Sequence, residues 1–282
     1  MQPALLFASL AGASVLVGVL EQPPQCQEDR GRSVRVLFER RPAGWFSLAD
    51  DKQEPAEFPS RWTVAFDGRN LGQITTVDPG WSSDYMRTYP RDRLLNVMGE
   101  ASTVRTSDQL FEGWCAAPSL RPLVVVSRPN VVDPSNWKRV EPTKDTRDQL
   151  FDEFKKRAGH QVNCPADPEK AVDFHYTVRH LVQLGNYSDL LGRRMVAVSL
   201  DPKLNKCDGP SESAWRPNWF MLPEGGYPPV FLGAGLWLVD AGDYDADGHS
   251  EAIFWFTGYN RDGYVLFTDD YATRVEYLWS YQ

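Results

Sequence analysis

Nine residues near the C-terminus, Asp243-Tyr244-Asp245-Ala246-Asp247-Gly248-His249-Ser250-Glu251, carry carboxylates at loop positions 1, 3, 5 and 9 and a glycine at position 6. Alternate carboxylates on a tightly curled chain converge on one point, glycine admits the sharp turn, and the carbonyl of the seventh residue completes an oxygen cage. Hard oxygen donors in that number suit Ca2+. Four negative groups held this close repel one another unless a divalent cation neutralises them. The expected metal ligands are Asp243, Asp245, Asp247 and Glu251 through their side chains and His249 through its carbonyl. A solvated acidic hairpin without metal is the competing reading. An EF-hand also opens Asp-x-Asp-x-Asp-Gly, but it needs a bidentate Glu at position 12 and a helix on either side. Position 12 here is Phe254.

The loop resembles the calcium loop of FG-GAP or VCBS repeats, the integrin-α-like β-propeller family, whose pattern runs Gly-Asp-x-Asp/Asn-x-Asp-Gly-x-x-Asp before an apolar strand. The matching residues are Gly242, Asp243, Asp245, Asp247, Gly248 and Glu251, then Ala252 to Phe256 and Gly258. Glu251 stands where the family more often has Asp, and the likeness covers only residues 236–267. It implies a structural ion that pins a hairpin within a propeller blade, not a catalytic ion.

Other chemistry has little local support. His160, His175, His180 and His249 are scattered, and His175 and His180, five apart, fall on opposite faces of a strand. There is no Gly-x-Ser-x-Gly, His-Glu-x-x-His or P-loop pattern. Acid pairs for glycoside hydrolysis, such as Glu112 with Asp173 or Glu224, cannot be ranked without their separation. Of the ten tryptophans, Trp62, Trp237, Trp255 and Trp279 sit in strand patterns and read as core, whereas Trp215 and Trp219 are the better candidates for stacking on a ligand.

The 282-residue chain has 30 Lys+Arg against 38 Asp+Glu and 42% hydrophobic residues, so it can bury a full core and has no basic excess for nucleic acid. From Ala4 to Leu20 no charge interrupts an apolar run, and Ala11 and Ala13 are small residues where a signal peptidase could cut. Residues 1–20 read as a signal peptide, with an uncleaved N-terminal anchor, the one membrane contact expected, or a buried apolar segment as alternatives. Beyond a signal, Cys26, Cys115, Cys164 and Cys207 read as two disulfides of open connectivity. The location expected is secreted or periplasmic. Asn186-Tyr187-Ser188 is a formal glycosylation sequon.

Alternation and turn residues predict mainly β structure: a strand over 33–39, a hairpin over 61–76 turning at Asp67-Gly68, and a short buried strand within 121–127. One helix is expected over 146–158, with Leu150, Phe151 and Phe154 on one face and Asp145 or Thr146 at its start. A second hairpin is expected over 173–200, connected by residues 185–189, and a Pro-rich linker or insert over 208–229. The segment 230–282 reads as a four-stranded meander, with strands over 231–239, 251–257, 264–268 and 273–281 and a turn at 260–263. Ala252 to Phe256, apolar throughout, should be its central, doubly covered strand. The fold class expected is mainly β with one helical insertion over a β-rich region 27–207, ending in a blade-like sheet of a degenerate propeller or a β-sandwich. Two functions fit: an extracytoplasmic calcium-stabilised module that binds a protein or carbohydrate ligand, or a secreted hydrolase that uses the ion structurally with its catalytic site elsewhere.

Overall fold

The computed structural model describes residues 14–21, 32–49, 58–77, 87–89, 94–98, 113, 117–118, 120–158, 161–164, 167–173, 176–201 and 212–281. β1 (Val15–Glu21) and β2 (Ser33–Arg41) pair antiparallel, and β3 (Gly44–Ser47) folds back on β2. β4 (Arg61–Phe66) and β5 (Arg69–Val77) form the predicted hairpin, with Asp67 and Gly68 at φ +48° and +65° as a two-residue turn of this kind requires. β6 (Arg87–Tyr89) leaves for another sheet, β7 (Leu94–Met98) joins β5 to β2, and β8 (Leu123–Val126) lies between β4 and β1. The order β1-β8-β4-β5-β7-β2 therefore returns to β1 and closes a six-stranded antiparallel barrel.

The barrel takes in the second part of the apolar run that reads as a signal or anchor, as the buried-segment alternative expects for those residues. Val15–Glu21 is a strand with Leu16, Val17, Val19 and Leu20 in the core. An apolar, β-branched run suits a fully buried strand as well as it suits a signal. Gly18 is required where it stands, because a Cβ there would meet the Arg35 carbonyl oxygen at 2.4 Å. At the end of the strand Glu21 makes a buried two-point pair with Arg35, at 2.9 Å for both contacts, and accepts the Tyr264 hydroxyl at 2.6 Å. A leader that is cut away at residue 20 could not supply this strand.

The next segments are β9 (Lys138–Arg139), helix α1 (Lys144–Ala158), a small hairpin of β10 (Gln161–Cys164) and β11 (Asp167–Asp173), and β12 (Leu181–Ser188) with β13 (Arg194–Leu200). α1 is capped by the Thr143 hydroxyl, which accepts the Thr146 N–H, in place of the expected Asp145 or Thr146. The β12–β13 connection is 189–193, because residues 185–188 belong to β12. After α2 (Glu212–Trp215) come β14 (Asn218–Leu222) and β15 (Val230–Ala234), completing an outer sheet ordered β15-β14-β13-β12-β9. The expected linker over 208–229 thus contains a strand that is buried along its whole length. Trp219 to Leu222 form a short apolar run whose flanking Pro217 and Pro223 mark strand ends.

β16 (Leu236–Gly242), β17 (Glu251–Gly258), β18 (Arg261–Thr268) and β19 (Thr273–Tyr281) form the predicted C-terminal meander, and β6 adds to its edge. The strand expected over 231–239 divides at Gly235 (φ +69°) into β15 and β16 of different sheets. The turn expected over 260–263 is confined to Tyr259-Asn260.

These units stack in layers. Ile253 and Trp255 of β17 pack with Trp237, Tyr277 and Trp279 against the barrel. Ala252 and Phe254 point the other way, to Met195, Trp219 and Met221 of the outer sheet. β17 is thus the doubly covered strand expected, and the middle and outer sheets stack as a sandwich. The far face of the outer sheet, with Val196, Val198 and Phe220, is covered by Leu150 and Phe154 of α1. Each large apolar side chain buried in this way contributes roughly 1.5–3 kcal/mol. The Asn186 amide is buried and donates to the Glu141 carbonyl at 2.7 Å, so the sequon presents no acceptor at the surface. Cys26, Cys115 and Cys207 lie outside the described residues, and Cys164 ends β10.

Candidate functional site

The acidic loop connects β16 to β17, and its curl is built by its own aspartates. Asp243 accepts the N–H groups of Ala246 at 2.6 Å and Gly248 at 3.1 Å; Asp245 accepts that of Asp247 at 3.2 Å; Asp247 accepts that of His249 at 2.8 Å. Such side-chain-to-backbone bonds are the local habit of Asp in turns. Gly248 takes φ +91°, a value that favours a residue without a Cβ. As a result the carboxylates of Asp243, Asp245 and Asp247 turn inward, with ligating atoms within 4.8 Å of one another, and this group could hold a metal ion.

The structure does not bring all five expected ligands together. Glu251, the first residue of β17, is buried beneath the loop, and its Oε2 accepts the Tyr244 N–H at 2.8 Å. Burial pushes its carboxyl up to about 9; the Tyr244 N–H opposes that shift, and the charges of Asp245, Asp247 and Asp243 reinforce it. His249 is exposed and joins the loop through its backbone N–H. Two cations that the sequence reading missed approach from the barrel side. Arg40 of β2 donates to Asp245 at 2.6 Å, and Arg128 lies 3.8 Å from Asp243. They partly offset the acidic charge, and neither is near the loop in sequence.

Beneath the loop a buried chain of polar groups leads away from it. The Tyr244 hydroxyl donates to Asp240 Oδ2 at 3.2 Å, and Asp240 Oδ1 accepts the Asp67 N–H at 2.8 Å. Desolvation raises the Asp240 carboxyl to about 7, against the pull of Arg121. Arg121 donates to the Val239 carbonyl and to Asp67 at 2.8 Å, with its guanidinium over Phe66.

That chain ends at a cleft of about 730 Å³ between the barrel's β4–β5 turn, the 133–139 segment, the outer sheet and the start of β16. Its aromatic lining is Phe66, Trp137, Tyr187, Trp215, Trp219 and Trp237. Trp219 is fixed by donating to the Leu236 carbonyl at 2.7 Å and stacks on Tyr187. Trp215 and Trp219, the surface candidates from the sequence, both line this cavity, but Trp219 is buried, and Trp237, expected in the core, lines it as well. Arg69, Arg121, Lys138 and Arg139 face Asp67 and Asp133 there, four cations against two carboxylates. Glu224 is not among its lining residues, the side chain of Asp173 and all of Glu112 lie outside what the structure describes, and so do His160 and His175. His180 is used locally, its Nδ1 accepting the Thr177 N–H.

Comparison with family models, with curated proteins and with solved structures finds no match to this chain.

Proposed function

We propose that the chain is an extracytoplasmic binding module whose 243–251 loop holds Ca2+ as a structural ion. The observation that carries this reading is the convergence of Asp243, Asp245 and Asp247 on one centre, in the spacing that suits hard oxygen coordination. The ion would sit between the ends of β16 and β17 and lock that hairpin to the 128–133 segment, which already bridges to it through Val132 and Asp243. Glu251 and the His249 carbonyl complete the donor set in this proposal. The ion's charge would draw the Glu251 proton off. The FG-GAP-like pattern of the loop supports the same assignment.

Secretion is part of the proposal. Ala11 and Ala13 stand directly ahead of Ser14, and a cut after Ala13 leaves β1 whole. Calcium at about 1 mM, with a dissociation constant of ~10⁻⁴ M, adds about 1.4 kcal/mol to stability. In a chain of this size that is a rise of about 2–3 °C in melting temperature. A melting curve in EDTA and in 1 mM calcium tests this: a rise is expected for the native chain and none for Asp245→Ala/Asp247→Ala. An equal rise in both would remove the assigned site.

A further inference from the structure

The cleft beside the Asp240 network carries an inference of its own, which deepens the binding-module reading and rests on it. Its back wall is aromatic: Trp219 is buried, fixed by its bond to Leu236 and packed between Gly185 and Tyr187, while the half-buried Trp215 and Tyr187 keep accessible ring surface. Flat, rigid aromatic faces bind rings at little cost in conformational entropy. Charge on the walls is uneven. Arg121 is committed to Asp67 and to the Val239 carbonyl, but Arg69, Lys138 and Arg139 are exposed, and none of their side chains has a hydrogen bond or ion pair among the described residues. On a chain of net charge −8, three uncommitted cations around one aromatic cavity form a local positive field that favours an anion.

The cations are also spread out. Arg69 is at the β4–β5 turn, and Lys138 and Arg139 are adjacent on β9, so the positive charge comes from two separate elements, which suits negative charges repeated along a ligand better than one compact polyphosphate. Asp67, whose carboxylate is more than half exposed at the rim, would accept hydroxyl donors and repel a phosphate cluster. Rings with apolar faces, hydroxyl groups and spaced acidic substituents meet all three conditions. We propose that this cleft binds an acidic saccharide, with a pyranose face on Trp215 and its carboxylates on Arg69, Lys138 and Arg139.

The test is a tryptophan-fluorescence titration of the full chain in EDTA with tetragalacturonate, a neutral tetrasaccharide and ATP. Tetragalacturonate should shift the emission saturably and bind about tenfold tighter than the neutral sugar, with affinity falling as salt rises. Lys138→Ala/Arg139→Ala, both on the surface, should bring its affinity to the neutral level, about tenfold weaker. Trp215→Ala should weaken it about fivefold. No binding of the uronate, equal binding of the neutral sugar, preference for ATP, or an unchanged affinity in Lys138→Ala/Arg139→Ala would each overturn the proposal. Calcium is absent from this titration, so failure of the calcium assignment and failure of the saccharide site are read separately.

Discussion

The acidic loop and the aromatic cleft stand at opposite ends of the same strand, β16, and are built in opposite ways. Leu236 to Leu238 line the cleft, and Gly242 leads into Asp243. The loop gathers its charge from nine consecutive residues that hold one another through turns two to five residues long. The cleft takes its lining from residues between Phe66 and Leu238, drawn from the barrel, the 133–139 segment, the outer sheet and β16. One is acidic and suits a cation; the other is basic and suits an anion. A chain whose net charge is −8 thus places Arg69, Lys138 and Arg139 around one cleft, and net charge alone says little about what a cavity accepts.

The largest effect that should separate the two regions comes from pH. Asp240 and Glu251 hold their protons to about 7 and about 9, above the ordinary carboxylate range, so the folded state binds more protons than the unfolded state across that window. Stability of the calcium-free chain should therefore fall as pH rises from 4 to 9, by on the order of 5 kcal/mol. Saturating calcium should flatten the part due to Glu251 and leave the part due to Asp240. Denaturant midpoints at pH 5 and pH 8, with calcium and with EDTA, measure both.

Next in size, Phe254→Ala should cost about 3–5 kcal/mol, because it leaves a cavity under Trp219 in the doubly covered strand. It should weaken saccharide binding while the calcium response persists, since the loop's own hydrogen bonds do not involve Phe254. Asp245→Ala/Asp247→Ala should do the reverse, removing the calcium-dependent gain of about 1.4 kcal/mol and leaving cleft fluorescence as it was. The smallest effect belongs to Lys138→Ala/Arg139→Ala, whose stability should stay within about 0.5 kcal/mol of native because both side chains are exposed and have no partner among the described residues.

The same contrast explains what could be read from the sequence. The loop was legible because its candidate ligands are close in sequence, and the meander was legible because alternation in β19 and the unbroken apolar run in β17 state which faces are covered. Helix α1 followed from Leu150, Phe151 and Phe154. The barrel was not legible: closure depends on β1 meeting β8 and β2 meeting β7, pairings of distant segments that no local pattern encodes. β1 looks like a leader because a signal and a core strand share apolar composition, and only Gly18 and the Glu21–Arg35 pair distinguish them. β14 was hidden by its prolines. Glu251 was assigned to the ion by spacing, while its place at the start of β17 also makes it a buried partner for the Tyr244 N–H. Arg40 and Arg128 had no signal at all, since their role exists only once the barrel meets the loop.

The central claim is that Asp243, Asp245 and Asp247 share one ion. Calorimetric titration of the purified chain with calcium and with magnesium, in two buffers of different ionisation heat at pH 7, addresses it most directly. The expected result is one calcium per chain, weaker magnesium, and release of a proton from Glu251 on binding. Absence of calcium binding, or binding of the same strength to Asp245→Ala/Asp247→Ala, would contradict it.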